Sequence, residues 1–123
     1  MKKITRPKLE TAWKKMIKKR DEYTCQLCGR TGEQGYQMHA HHIEAKQSIY
    51  SLTLPENGIC LCALCHMSIH GQNGRTEQLK REELLTKKLG KEYLENLSIE
   101  IKSPPKFNTS AKEELYEQLL NKL

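Results

Sequence analysis

Every cysteine and every histidine of this 123-residue chain lies between Cys25 and His70. These side chains hold transition metals, and imidazole also exchanges protons near neutral pH. Four of the cysteines form two Cys-x-x-Cys pairs, Cys25/Cys28 and Cys62/Cys65, with 33 residues between them. The spacing lets both thiolates of a pair reach one ion. Two pairs complete a tetrahedral four-thiolate set, so a structural zinc ion is expected, with free core cysteines as the alternative. Cys60 lacks that spacing and is expected to be a small core residue. An odd number of cysteines, with two such pairs, fits metal binding in a reducing compartment better than a disulfide framework.

The histidines follow a different pattern. His66 and His70 are four apart, on one face of a helix, and can share a metal. His41 and His42 form a doublet at the end of a predicted strand, where adjacent residues point to opposite sides. One imidazole can therefore bind an ion while the other reaches past it, and hydrolysis needs that division between a ligand and a base. His39 shares the strand face of His41. Its expected place is beside the ligands or at the surface, with ligation or a phosphate contact as alternatives. Asn57 reads as a turn residue within Pro55-Glu56-Asn57-Gly58. Its functional reading is an amide that reaches across the loop and holds a histidine in one tautomer.

These groups need elements to hold them. Residues 8–20 read as an amphipathic helix, with Pro7 at a first helical position and Leu9, Trp13, Met16 and Ile17 on one face. Trp13 reads as a core anchor rather than a base-stacking residue. Lys14, Lys15, Lys18, Lys19 and Arg20 cover much of the remaining surface. Tyr36 to Ile43 reads as a strand, Ala45 to Pro55 as a loop, Gly58 to Cys62 as a short buried strand, and Ala63 to His70 as a helix ended by Gly71. The product is a ββα unit clamped at both ends by cysteines. Beyond it, helices are predicted over Thr76–Leu89 and Lys91–Leu97, an extended segment over Ser98–Lys102 and a linker at Ser103-Pro104-Pro105. A final leucine-rich helix should open on a capping box at Ser110.

Hydrophobic residues make up 37% of the chain and charged residues 29%, with one Phe and one Trp. So small a store of large apolar side chains makes a metal staple useful to a small scaffold. The net charge of +6 is uneven: residues 1–20 carry nine Lys/Arg and one Glu. A basic arm beside a metal site suits a polyanion, because neutralising phosphates releases counterions. The bland reading is a solvated basic helix. The start shows no apolar secretory segment and no run is long enough to span a bilayer, so an intracellular protein is expected.

RDEYTCQLCG, HAHHI, PENGICLCALCH and HMSIHG together resemble an HNH endonuclease of the cysteine-containing kind, in the ββα-metal superfamily, over about residues 13–71. The resemblance implies an α+β protein: a zinc-stapled ββα-metal core, preceded by the basic helix and followed by C-terminal helices. The resemblance does not reach residues 72–123, so the expected division is a nuclease domain over 1–72 and a helical extension over 73–123. It implies that His42 is the general base and that Asn57 orients the catalytic loop. His41, His66 and His70 would hold a divalent ion, with Mg2+ or Mn2+ preferred and Ni2+ or Zn2+ as alternatives. The products would carry 5′-phosphate and 3′-hydroxyl ends. Where the family commonly has a proline after the doublet, this chain has Ala45. Small members of this kind are frequent in phages and mobile elements, which fits such an origin and a phage-infected host cytoplasm.

DNA is the expected partner, gripped through its backbone by Lys14, Lys15, Lys18, Lys19 and Arg20. The C-terminal helix is a candidate contact for a protein partner or a second copy. The competing reading is a non-catalytic zinc-stapled DNA-binding module, or an adaptor that works with a packaging or recombination partner.

Overall fold

A computed structural model describes residues 3–123. Met1 and Lys2, which open the basic arm and the expected 1–72 domain, lie outside the described residues. Helix α1 spans Arg6–Arg20. The Thr5 hydroxyl accepts a hydrogen bond from the Lys8 amide at 3.4 Å, and Pro7 in the first turn needs no amide partner there. Its buried face is Leu9, Ala12, Trp13, Met16 and Ile17.

That face lies on an antiparallel hairpin of β1 (Met38–His42) and β2 (Gly58–Cys62), with Met38 opposite Cys62 and His42 opposite Gly58. A Cβ at Gly58 would lie 2.4 Å from Trp13 Cζ2 and 2.6 Å from Ile17 Cδ1. Only glycine lets the helix settle so close to the strand. Helix α3 (Ala63–Ile69) follows β2 directly and completes the ββα unit.

The hairpin connection is more ordered than the sequence predicts. Helix α2 (Ile49–Thr53) and a 3-10 turn at Pro55–Asn57 stand where a plain loop over 45–55 is expected. The Ser48 hydroxyl accepts from the Ser51 amide at 3.1 Å, and Ser51, Leu52 and Thr53 are buried. Five residues are too few for a helical repeat to register as a hydrophobic period.

Helices α4 (Arg75–Leu89), α5 (Lys91–Lys102) and α6 (Thr109–Asn121) complete the chain. The extended segment expected over Ser98–Lys102 is instead the last part of α5. Leu94, Leu97 and Ile101 are all shielded there, and their spacing is helical rather than alternating. Helix α6 starts one residue before Ser110. Its cap is Asn108, whose side-chain oxygen accepts from the Ala111 amide at 2.8 Å.

Two apolar clusters hold these layers together. One gathers Cys25, Met38, Ile59, Leu61 and Ile69 with Leu85 of α4. The other gathers Leu9, Trp13, Ile17 and Ala40 with Leu119 of α6. Residues 73–123 thus contribute a leucine to each cluster. Among the described residues no helix is long and apolar enough to cross a membrane.

Candidate metal centres and active site

The sulfur atoms of Cys25, Cys28, Cys62 and Cys65 all lie within 4.8 Å of one another. Cys28 Sγ and Cys62 Sγ, from different pairs, are 3.6 Å apart. A zinc–sulfur distance of about 2.3 Å gives a tetrahedral sulfur–sulfur edge of about 3.8 Å, so the cluster is close to zinc-binding geometry. Each pair is a knuckle in which a backbone amide turns back to the first sulfur. The Cys28 amide donates to Cys25 Sγ at 3.5 Å, and the Cys65 amide to Cys62 Sγ at 3.4 Å. The first knuckle is closed by Cys25 N–H on the Arg30 carbonyl at 2.8 Å, with Gly29 at φ +82.

The electrostatics agree with a cation-binding set. Burial pushes the Cys28 and Cys65 thiols above their ordinary range. Burial also raises Cys25, but hydrogen bonds from the backbone around Cys62, Cys28 and Leu27 outweigh it and bring this thiol down to about 7. Crowded thiols resist joint ionisation, and a central dication removes that resistance. Three of the four are buried and Cys28 lies at the surface. Cys60 stands outside the cluster, fully buried, its thiol pushed up to about 12 by burial. Its amide donates to Asp21 Oδ2 at 2.8 Å and its carbonyl accepts from Gln26, fixing the turn after α1 to the hairpin.

The second cluster is His41, His66 and His70, whose ring nitrogens also fall within 4.8 Å of one another. His66 Nε2 and His70 Nε2 are 3.2 Å apart. For a metal–nitrogen distance of about 2.0 Å, two ligands of a tetrahedral ion sit about 3.3 Å apart. His41 Nδ1 is buried with no hydrogen-bond partner among the described residues. A buried imidazole nitrogen without a partner is costly unless a cation takes the lone pair. Burial, and then the neighbouring imidazoles, hold His41 down to about 3 and His66 down to about 4, so both rings are neutral and able to ligate at neutral pH. The donor set therefore fits a divalent metal.

His42 points the other way, as strand alternation requires. Its ring lies flat against the Trp13 indole, centroids 3.8 Å apart and planes 10° from parallel. Its Nε2 is 2.9 Å from the Leu52 carbonyl oxygen. A carbonyl only accepts, so Nε2 carries the proton and Nδ1 keeps the lone pair. Burial shifts this imidazole below its ordinary value, which also keeps it neutral. His41, His42, His66 and His70 line an open cleft of about 570 Å³, with Lys14 and Glu82 at its edge.

Asn57 is fully buried and its amide makes three bonds. Its Oδ1 accepts from the Glu44 amide at 2.7 Å, and its Nδ2 donates to the Ser51 carbonyl at 2.7 Å and the Glu44 carbonyl at 3.2 Å. All three partners are backbone atoms of the connection, and none is an imidazole. The histidine contact expected of Asn57 is made instead by the chain it holds, through the Leu52 carbonyl.

The five basic residues of α1 do not share one surface. Lys14 lines the cleft; burial, and then Lys18 and Lys14, hold His39 below its ordinary value. Lys15 borders a groove between α1 and α6. Lys19 is exposed. The Arg20 guanidinium is occupied by Asp21 and by the Pro55 and Gly58 carbonyls at 2.8 Å, so it braces the hairpin. Lys46, which sequence reasoning passed over, pairs with Glu10 near His42. The stack of Trp13 on His42 also escaped the sequence, since no spacing links a helix residue to a strand residue so far along the chain.

Residues 25–72 match the family model described as HNH endonuclease. No curated protein and no solved structure is matched by the chain. The segment from Cys25 to Gln72, which carries both clusters and His42 on a ββα unit, is thus similar to the HNH endonucleases.

Proposed function

We propose that the protein is a metal-dependent DNA endonuclease in which His42 is the general base and His41, His66 and His70 hold one divalent ion. The observation that carries this reading is the condition of His42. Its Nε2 proton is committed to the Leu52 carbonyl and its face to Trp13, which leaves Nδ1 as the unbonded basic nitrogen of a ring that lines the same cleft as His41, His66 and His70. Nδ1 takes a proton from the attacking water, a role typically worth about 10²–10⁴-fold in rate. The positive charge then formed on the ring is met by the Leu52 carbonyl through Nε2–H. Trp13 fixes the ring plane, so the base need not search for its orientation.

Asn57 acts at one remove. It grips the Ser51 carbonyl, one residue before Leu52, and thereby sets the backbone atom that sets His42. Lys14, at the edge of the cleft, meets the phosphate backbone without reading sequence. The divalent ion, when bound, supplies charge compensation and orientation for the scissile phosphate. Mg2+ or Mn2+ is the proposed ion for activity, and an all-imidazole set also admits Ni2+ and Zn2+. The four cysteines hold a structural zinc with no open position. In this reading residues 1–72 form the nuclease unit and residues 73–123 brace it.

A plasmid-nicking assay with added Mg2+, Mn2+ or Ni2+ tests the proposal, comparing the wild type with His42→Ala. Metal-dependent nicking that His42→Ala loses supports it. A non-catalytic DNA-binding module would account for the cysteines and the basic helix. It leaves the three-imidazole cluster and the free nitrogen of His42 without a use.

A further inference from the structure

We infer that His39 is a positioning residue that holds His66 in the one tautomer and orientation able to ligate the ion. The inference rests on the proposed histidine metal site and concerns a residue that the proposal leaves unused. Strand β1 alternates, so His39 and His41 leave it on the same face and both meet α3. His39 Nδ1 lies 2.8 Å from His66 Nδ1, with the two rings edge to face at 82°. At that distance one nitrogen carries the shared proton and the other accepts it.

The opposite nitrogen of His66 decides which. His66 Nε2 faces His70 Nε2 across 3.2 Å, inside the cluster where an ion would sit. A neutral imidazole that offers its Nε2 lone pair must carry its proton on Nδ1. His66 Nδ1–H therefore donates and His39 Nδ1 accepts, which fixes the proton of His39 on its own Nε2. With Nδ1 engaged in this way, His39 stands outside the converging ligand set.

The three ligands differ in what supports them. His41 is held by burial, and neither of its ring nitrogens bonds another side chain among the described residues. His70 caps the end of α3 and is exposed. Among the three, only His66 has its non-ligating nitrogen bonded to another side chain of the described residues. Such a partner raises the basicity of the ligand and removes the rotations that would turn it away. Loss of a partner of this kind typically costs about 10–100-fold in metal affinity.

The test uses the full-length, zinc-loaded protein. Calorimetric titration with Ni2+ compares the wild type with His39→Ala, His39→Asn and His66→Ala. His39→Ala should bind about 10–100-fold more weakly. His39→Asn, whose side-chain oxygen can take the place of Nδ1 as acceptor, should recover most of the loss. A long-range proton–nitrogen NMR spectrum of the wild type without added Ni2+ should place the His66 proton on Nδ1, and this readout needs no variant to fold. Wild-type Ni2+ affinity in His39→Ala, alongside weakened binding in His66→Ala, overturns the role of His39 and leaves the histidine site standing. A His66 proton found on Nε2 overturns it as well. Equal affinity in wild type and His66→Ala removes the site and the inference together.

Discussion

The four-cysteine and three-histidine clusters share helix α3, yet they differ in every property that matters to chemistry. Cys65 and His66 are adjacent on α3 and face different clusters. The cysteine set has three of its four members buried and is wrapped by backbone amides that donate to sulfur. The histidine set opens onto a cleft, with His70 exposed and the proposed base, His42, in the cleft lining. A four-thiolate site saturates a tetrahedral ion and can only hold structure. Three imidazoles leave room for a substrate. Because Cys65 and His66 are neighbours on one helix, the two clusters lie side by side.

The largest expected effect separates the two clusters outright. Cys65→Ser should lose zinc and unfold residues 25–72, because structural zinc contributes about 10–16 kcal/mol, comparable to the whole stability of a small domain. His70→Ala should keep both the fold and the zinc while weakening the divalent ion on the histidines. Zinc stoichiometry and circular dichroism on the two variants decide the matter. A folded, zinc-free Cys65→Ser protein would show that the cysteines are not a staple.

Asn57→Ala comes next. It strips partners from the Glu44 amide and the Ser51 carbonyl inside the fold, at about 1–3 kcal/mol for each buried group left unpaired. Thermal melting should fall accordingly, and nicking should fall further than stability explains, since the Leu52 carbonyl moves with the loop. Equal zinc content in wild type and variant would confine the damage to the histidine side.

The smallest effect tests the surface. Lys14→Ala should weaken DNA binding and lower the slope of log affinity against log salt by about 0.9, the contribution of one phosphate contact. Lys15→Ala, at the groove toward α6, should leave the slope near wild type. Fluorescence anisotropy at several salt concentrations reads both. Equal slopes for the two variants would mean that the cleft edge and the α6 side of α1 meet DNA alike.

The parts of this molecule that local spacing controls were legible in the sequence. Cys-x-x-Cys, the strand Gly58–Cys62 and the His66/His70 pair follow from the geometry of a single turn, strand or helix. The ββα architecture followed from them, and the match over residues 25–72 agrees. Contacts made between elements were not legible. Trp13 reads as a core anchor from its helix face, and burial bears that out, but nothing along the chain announces that His42 stacks on it. Ser51 and Leu52 looked like loop residues because α2 is too short to show a period. Ser98–Lys102 reads as an extended segment, although Leu97 and Ile101 lie on the shielded side of a continuing helix. Lys14 and Lys15 are indistinguishable by composition, and only the packing of α1 against β1 and α6 separates them.

The central claim is the division between neighbours on β1: His41 for the ion and His42 for the proton. Plasmid nicking by the zinc-loaded protein, with Mn2+ titrated against wild type, His41→Ala and His42→Ala, tests it most directly. The account predicts that His42→Ala loses nicking by about 10²-fold or more at every Mn2+ concentration while keeping its fold. His41→Ala should instead require far more Mn2+. Retained nicking by a clean His42→Ala preparation would contradict the account.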